Sequence, residues 1–445
     1  MQNKKIIFIE NRVNIYPLTK IAEKLIKKDI KVYWLVQNNS FVPKNGIIYK
    51  IPYPKVKDLK KKNSFKDLLS KDRNIKFFNS KDDHYEYYFN IIKKIILNIK
   101  PDIVIGEATL FHELLTIKIC KKLKIKYLFM QSARILIERL CFYDADNLNY
   151  IFGENKRLSN NNLKKIILNL KSEKSFVYDK TLKNQSKNFF YNIYFWFKIF
   201  FSNFNGERYN TPNIFIKFLL EIKLFINKLR WNFYSLNFEN KIFEDDSFKI
   251  LYPMQLQPEQ NIDVWGYPYN DQLKIIKSLL KICKKTGSQL FIKLNPKSKY
   301  ELNSKIFALK KNNKNLLLLN KNFKIAGNLK KFNLIFSITG SILIEAALNK
   351  VPAVTFVKSK IFELKGIKII KQYRDLLKII YTIKNKKFLF SSDKELKNYI
   401  NYTFKNSYSI KRLNYNYSNI NFNKKHLNKI SNLIYEILYK QKKII

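Results

Sequence analysis

Two separate stretches of this chain alternate short apolar runs with amphipathic segments of helical length, and that alternation constrains the fold more than any other feature. In the first stretch the apolar run Lys5–Ile9 precedes a segment, Pro17–Lys28, whose Leu18, Ile21, Ala22 and Leu25 share one stripe, and Lys31–Val36 follows. Apolar residues at helical spacing make one wall of a helix, whereas a short unbroken apolar run reads as a strand covered on both faces. The pattern repeats as helix Tyr85–Asn98, strand Asp102–Ile105, helix Leu110–Leu123 and strand Lys126–Met130. A second stretch runs from strand Phe248–Tyr252 through helix Asp271–Lys285, strand Gln289–Leu294, helix Lys299–Lys311, strands Leu316–Leu319 and Leu334–Ile338 and helix Ser341–Asn349 to strand Ala353–Phe356. Such alternation predicts an α/β class: two Rossmann-like, doubly wound domains facing across a cleft.

At 445 residues the chain exceeds what one hydrophobic core usually supports. The expected partition is an N-terminal Rossmann-like domain over 1–152, a helical, aromatic-rich insertion or connector over 153–246, a C-terminal Rossmann-like domain over 247–370, and basic C-terminal helices over 371–445. With 46% hydrophobic and 15% aromatic residues against 9 Gly and 11 Pro, disordered and fibrous classes are excluded.

The formal charge of +51 has two readings. The lysines are scattered, and their abundance beside Asn and Ile suits a coding bias; alternatively, a basic face meets a membrane or an anionic substrate. No nucleic-acid-binding module accompanies the charge, so nucleic acid is not an expected partner. Cys120, Cys141 and Cys283 are widely spaced and odd in number, which fits a reducing compartment and offers no metal-ligand pattern. The apolar run Ile6–Ile9 stops at Glu10, far short of a signal-peptide core, and a cytoplasmic location is expected. The aromatic run Phe189–Phe201 contains Asn192 and Lys198 and falls short of the roughly 20 apolar residues that span a bilayer. That run, and the amphipathic stretch Ile214–Phe238, either lie in a membrane interface or pack together as the core of the insertion.

Ligands of doubly wound sheets bind beyond the carboxyl ends of the strands, so polar residues just after each strand are the candidates. After the strand ending at Ile338 come Thr339, Gly340 and Ser341, with Ser337 just before and Glu345 one turn into the next helix. A glycine that lets backbone approach closely, followed by a hydroxyl-capped helix start, makes an anion cradle suited to the phosphate of a nucleotide-sugar donor; the plain alternative is an ordinary capped helix. Gln257 and Glu259 follow the strand Phe248–Tyr252 and point either to the same donor or to a surface turn.

Taken together, Met254–Glu259 with the downstream Asp263–Gln272, the strand end Lys293-Leu294-Asn295-Pro296, and Ser337–Phe356 resemble the capsule polysaccharide biosynthesis family of bacterial GT-B glycosyltransferases. Upstream, Ile105–Glu113 and the residues Arg134, Arg139 and Phe142 are similar to that family's N-terminal segments. The resemblance implies a GT-B fold and transfer of a sugar from a nucleotide-activated donor to a growing surface polysaccharide or lipid-linked glycan. It further implies chemistry without a metal or other cofactor, and peripheral contact with the inner membrane or an export complex. Many members carry His-Pro where this chain has Asn295-Pro296, so the imidazole that assists the leaving phosphate is missing; Lys293 is the nearest cation that can replace it.

Deprotonating the acceptor hydroxyl needs a base. Glu107, preceded by Gly106, is the first candidate, with Glu10, Glu113 and His112 in reserve; a helix-capping carboxylate and a packed histidine are the structural alternatives. Arg134 and Arg139 carry forks that hold a phosphate or carboxylate, or that pair with surface acids. A nucleotide-sugar epimerase of the same architecture and a non-catalytic scaffold are the competing functions.

Overall fold

The computed structural model describes residues 4–60, 63–136, 139–145, 147–171, 194, 197–235, 245–325, 327–410 and 424–440. Most of the aromatic run Phe189–Phe201 and the tail of the stretch Ile214–Phe238 lie outside the described residues. Two sheets organise the molecule, and each is wound in both directions from an inner pair of strands.

The first sheet contains β1 (Lys5–Ile9), β2 (Lys31–Val36), β3 (Ile47–Lys50), β4 (Ile103–Ile105), β5 (Lys126–Ser132), β6 (Leu140–Asp144) and β7 (Tyr150–Phe152), in the order β3-β2-β1-β4-β5-β6-β7. From β3 to β5 every pairing is parallel, whereas β6 and β7 return antiparallel. The second sheet contains β8 (Lys249–Pro253), β9 (Gln289–Lys293), β10 (Leu316–Leu319), β11 (Leu334–Phe336), β12 (Ala353–Thr355) and β13 (Ile367–Ile369), all parallel, in the order β10-β9-β8-β11-β12-β13. The chain is thus a two-domain, Rossmann-like α/β protein.

Burial explains why the runs became strands. Ile6 to Ile9 are all buried, as are Leu334 to Phe336 and Ala353 to Thr355, so helices cover both faces and no polar alternation is needed. The helix Ile15–Ile26 turns Leu18, Ile21, Ala22 and Leu25 inward as its stripe predicts. Strands β3, β6, β7 and β13 lie outside the expected set, although Leu140 to Tyr143 of β6 are apolar and buried. The helix expected over Lys299–Lys311 begins only at Lys305. The carboxylate of Glu301 accepts the Ser298 hydroxyl at 2.7 Å and the N–H groups of Lys299 and Gln257, holding the preceding loop out of helix.

Two compact units result: 1–155 with 177–216 and 404–445, and 156–176 with 217–403. The segment expected as a connector therefore contributes to both. In the first unit the helix Lys424–Lys440 packs on Ile15–Ile26, and Leu427, Ile430, Ile434 and Leu438 share a core with Ile21, Leu25, Phe8 and Trp34. In the second, Trp231 of the helix Ile214–Tyr234 sinks into a core with Ile250, Leu279, Phe336 and Ile338, its indole N–H donating to the Leu319 carbonyl at 3.1 Å.

Candidate functional site

In a doubly wound sheet the loops part where the strand order reverses, here between β1 and β4 and between β8 and β11. The chemistry-bearing side chains collect at both places.

At the first, Glu10 and Glu107 leave β1 and β4 side by side. Gly106 is dictated by space: a Cβ there would stand 2.2 Å from the Tyr127 hydroxyl, which donates to the Glu107 carbonyl at 2.6 Å. This close packing turns the half-buried Glu107 side chain toward Asn14, whose amide donates to it at 2.9 Å. Asn11, Asn14, Gly106, Glu107, Phe129 and Met130 line a shallow hollow of about 20 Å³ beyond the strand ends. A carboxylate beside two amides on the rim of a hollow can accept a proton from a hydroxyl bound there.

The other expected bases are engaged elsewhere. Glu113 is fully buried, and its carboxylate accepts the N–H groups of Glu107 at 2.9 Å and of Thr109 and Leu110 at 3.0 Å, together with the Asn11 amide. It shapes the Glu107 loop, since these bonds fix the turn into the helix Phe111–Lys122. Glu10 is also wholly buried and receives the N–H of Asn38 at 3.0 Å and of Arg12 at 2.5 Å. Burial, with the nearby Glu207 carboxylate, nevertheless pushes its pKa up to about 8. His112 faces the Glu10 carbonyl oxygen, 2.8 Å from its Nε2, so that nitrogen carries the proton; burial lowers its pKa and keeps the ring neutral.

Beneath these groups lies a charged knot that the sequence did not reveal. Arg12 has a left-handed backbone, φ 49°, and its guanidinium pairs with the buried Glu207 and reaches the Thr211 hydroxyl at 2.7 Å. Asn38 donates to the other Glu207 oxygen at 2.6 Å. Arg12 and Glu207 are separated by 195 positions, so no local pattern could pair them.

The arginines divide. Arg139 is buried: its Nε donates to the Ser407 hydroxyl at 2.7 Å, its fork reaches the Ser407 carbonyl and Glu154, and its plane lies 3.8 Å over the Phe404 ring. It ties the chain near residue 407 to the first sheet. Arg134 is half-buried in the loop between β5 and β6.

At the second reversal, Gln255 is the residue missed. Its side-chain oxygen accepts the N–H of Thr339 at 3.1 Å and of Ile338 at 3.3 Å, and its amide donates to the Thr339 hydroxyl at 2.8 Å. The signal was present: Gln255 lies two residues beyond β8 and nearer the strand end than Gln257. The Thr339 hydroxyl in turn donates to the Asn261 carbonyl at 2.8 Å. The N–H groups of Gly340, Ser341 and Ile342 meet no acceptor among the described residues. Ser337 is fully buried and its hydroxyl has no partner there; a Cβ at Gly340 would press to 2.7 Å from it. Ser341 donates to Glu345 at 3.1 Å, and burial raises the Glu345 pKa.

Of the remaining donor-side candidates, Gln257 and Lys293 are buried, whereas Glu259 and Asn295 are half-buried. Gln257 is buried, with its amide on Asp263 at 2.5 Å and the Asn270 carbonyl at 3.0 Å and its oxygen accepting from Gln272. Glu259 begins the helix Gln260–Asp263 and gives its N–H to Asp263 at 3.0 Å. Asn295 accepts the Lys297 N–H at 2.9 Å, an ordinary side-chain turn. Lys293 was expected to offer charge, yet its ammonium donates to the carbonyls of Leu294 and Lys321 at 2.9 and 2.8 Å, and burial lowers its pKa to about 8. Among the described residues no group of three or more His, Cys, Asp or Glu side chains is placed to hold a metal ion.

No family model and no curated relative matches the chain. Among solved structures, a glycosyltransferase from Rickettsia africae is similar at 10% identity and a TM-score of 0.32, with 100% of each chain covered. A UDP-GlcNAc 2-epimerase from Methanocaldococcus jannaschii, in complex with UDP-GlcNAc and UDP, follows at 14% identity and a TM-score of 0.30, covering 89% of this chain and 98% of its own. MurG from Acinetobacter baumannii stands at 12% identity and a TM-score of 0.28, covering 97% and 99%. Likeness this distant does not carry function, and the fold rests on the strand orders themselves.

Proposed function

We propose that this protein is a glycosyltransferase, moving a sugar from a nucleotide-activated donor to a growing surface polysaccharide or a lipid-linked glycan. The observation that carries the reading is the turn after β11, where three successive N–H groups without acceptors sit beside the unpartnered, buried Ser337 hydroxyl. Backbone N–H groups converging on one point bind phosphate oxygens and stabilise negative charge that grows as the nucleotide leaves. Glu107 is assigned as the base that takes the acceptor's proton; the donor's anomeric carbon then bonds to that oxygen as its bond to the phosphate breaks. Arg134 is assigned to an acidic group on the acceptor or the donor.

The test is a thermal-shift panel of CMP, UDP and GDP against the native protein and Gly340→Trp, followed by transfer assays with the nucleotide sugar that binds. Ligand at a hundred times its Kd adds about 2.7 kcal/mol of stability, which a melt resolves. Stabilisation of the native protein alone, with sugar passed to a glycan acceptor in the presence of a chelator, supports the reading. Equal stabilisation of both proteins overturns the phosphate site. Conversion of the free nucleotide sugar without any acceptor identifies an epimerase, and binding without turnover identifies a scaffold.

A further inference from the structure

The helix Ile214–Tyr234 is sorted by burial into two apolar faces. One faces inward: Leu224, Asn227 and Trp231 are buried, and Asn227 donates to the Leu302 carbonyl at 2.9 Å. The other is exposed, with Phe215 at 78%, Phe218 and Leu219 at 65%, Phe225 at 63%, Leu229 at 53% and Phe233 at 83%. At about 100° per residue these six positions fall within an arc of roughly 120°, diametrically across from the buried stripe. Ile222 and Ile226 lie in the same arc and are exposed too.

A soluble surface does not ordinarily carry so many large apolar side chains in one contiguous stripe; such stripes mark a contact. The residues beside it indicate with what. Lys223 and Arg230 border one edge, and Lys228 lies beyond the other, next to Glu221, the helix's one acidic residue. A second copy of the chain would bring the same basic borders and the same formal charge of +51 against them. An anionic lipid surface instead offers hydrocarbon to the stripe and phosphate to its edges, the arrangement of helices that lie in the plane of a bilayer. At 21 residues the helix is about 31 Å long. No described helix is long and apolar enough to cross a membrane. Exposed aromatic rings recur just upstream at Phe197, Phe201 and Phe204, in the compact unit that also includes Phe215.

We propose that the helix Ile214–Tyr234 docks on anionic bilayers, its Phe215–Phe233 stripe entering the headgroup and acyl boundary and its Lys and Arg residues engaging lipid phosphates. The stripe is remote in sequence from the nucleotide turn, and the inference does not depend on the transfer chemistry.

Flotation of the full chain with phosphatidylcholine vesicles, with and without phosphatidylglycerol, is the test. The native protein floats with the mixed vesicles, and the quadruple variant Phe215→Ser/Phe218→Ser/Phe225→Ser/Phe233→Ser binds at least about a hundredfold more weakly, because four exposed rings no longer leave water. The variant Lys217→Gln/Lys223→Gln/Lys228→Gln/Arg230→Gln loses the preference for the anionic lipid, as does the native protein at about 1 M salt. Single variants Phe225→Asp and Phe233→Asp, with unchanged melting temperatures, serve should the quadruple variant misfold. The proposal is overturned if the native protein ignores both vesicles, or if the single variants bind as it does. It is equally overturned if sedimentation shows a native dimer that the same variants dissolve, since the stripe is then covered by a second copy.

Discussion

A Cβ placed on Gly340 would stand 2.7 Å from the Oγ of Ser337, so these two residues determine each other's size. Gly340→Ala must push the turn or the serine aside, and the three N–H groups of the turn shift with it. The expected result is nucleotide binding weakened on the order of tenfold to a hundredfold, with little change in melting temperature. Ser337→Ala/Gly340→Ala removes the obstructing oxygen and recovers much of the loss, a non-additive cycle readable by calorimetric titration.

Replacing Glu107 by Gln keeps the Asn14 contact and removes the base. Transfer falls by about 10²- to 10⁴-fold while nucleotide affinity stays unchanged. Steady-state kinetics alongside a direct binding measurement separate the two, and a matching drop in binding would dismiss the assigned role.

Glu10 links stability to pH with a definite sign. Its pKa is 4.5 when unfolded and about 8 when buried, so between those values the folded state holds a proton that the unfolded state has released. Its contribution is therefore complete below the lower value and is lost as pH rises toward the upper. The stability of the native protein minus that of Glu10→Gln should decline by up to about 1.4 kcal/mol per pH unit across that window. Denaturant unfolding at several pH values measures it; a flat difference would show that the carboxyl is ionised in the fold.

Arg139 should act on the chain near residue 407 and leave chemistry untouched. Arg139→Ala removes the guanidinium's bonds to the Ser407 hydroxyl, the Ser407 carbonyl and Glu154, with a cost of about 2 to 3 kcal/mol. Arg139→Lys restores the charge but loses the fork that meets both partners. Hydrogen exchange faster at Ser407 to Ile410, with transfer kinetics intact, is the expected signature.

Local pattern revealed what local physics controls. The apolar runs of β1, β4, β8, β11 and β12 were legible because strands buried on both faces need no polar alternation, and Gly106 and Gly340 were legible because glycine marks close packing. Glu113 shows where such reading stops: a carboxylate after a strand looks the same whether it meets substrate or, as here, holds its own loop through three backbone N–H groups. Lys293 shows the same limit, since nothing nearby in sequence places the carbonyl of Lys321 against its ammonium. Gln255 was passed over for Gln257 because the two differ only in which strand-end loop each one reaches.

The helix Lys424–Lys440 has a consequence for biosynthesis. Its Ile430, Ile434 and Leu438 cover the outer side of a layer whose other members, Ile21 and Leu25, emerge from the ribosome some four hundred residues earlier. Until Lys424–Lys440 is made, the flank of that early helix that meets it stays uncovered, although its other side can pack on β1 and β2. The second sheet, whose strands all fall between Lys249 and Ile369, can mature first although it is made later, and the half that is synthesised first must wait for the last helix to be sealed.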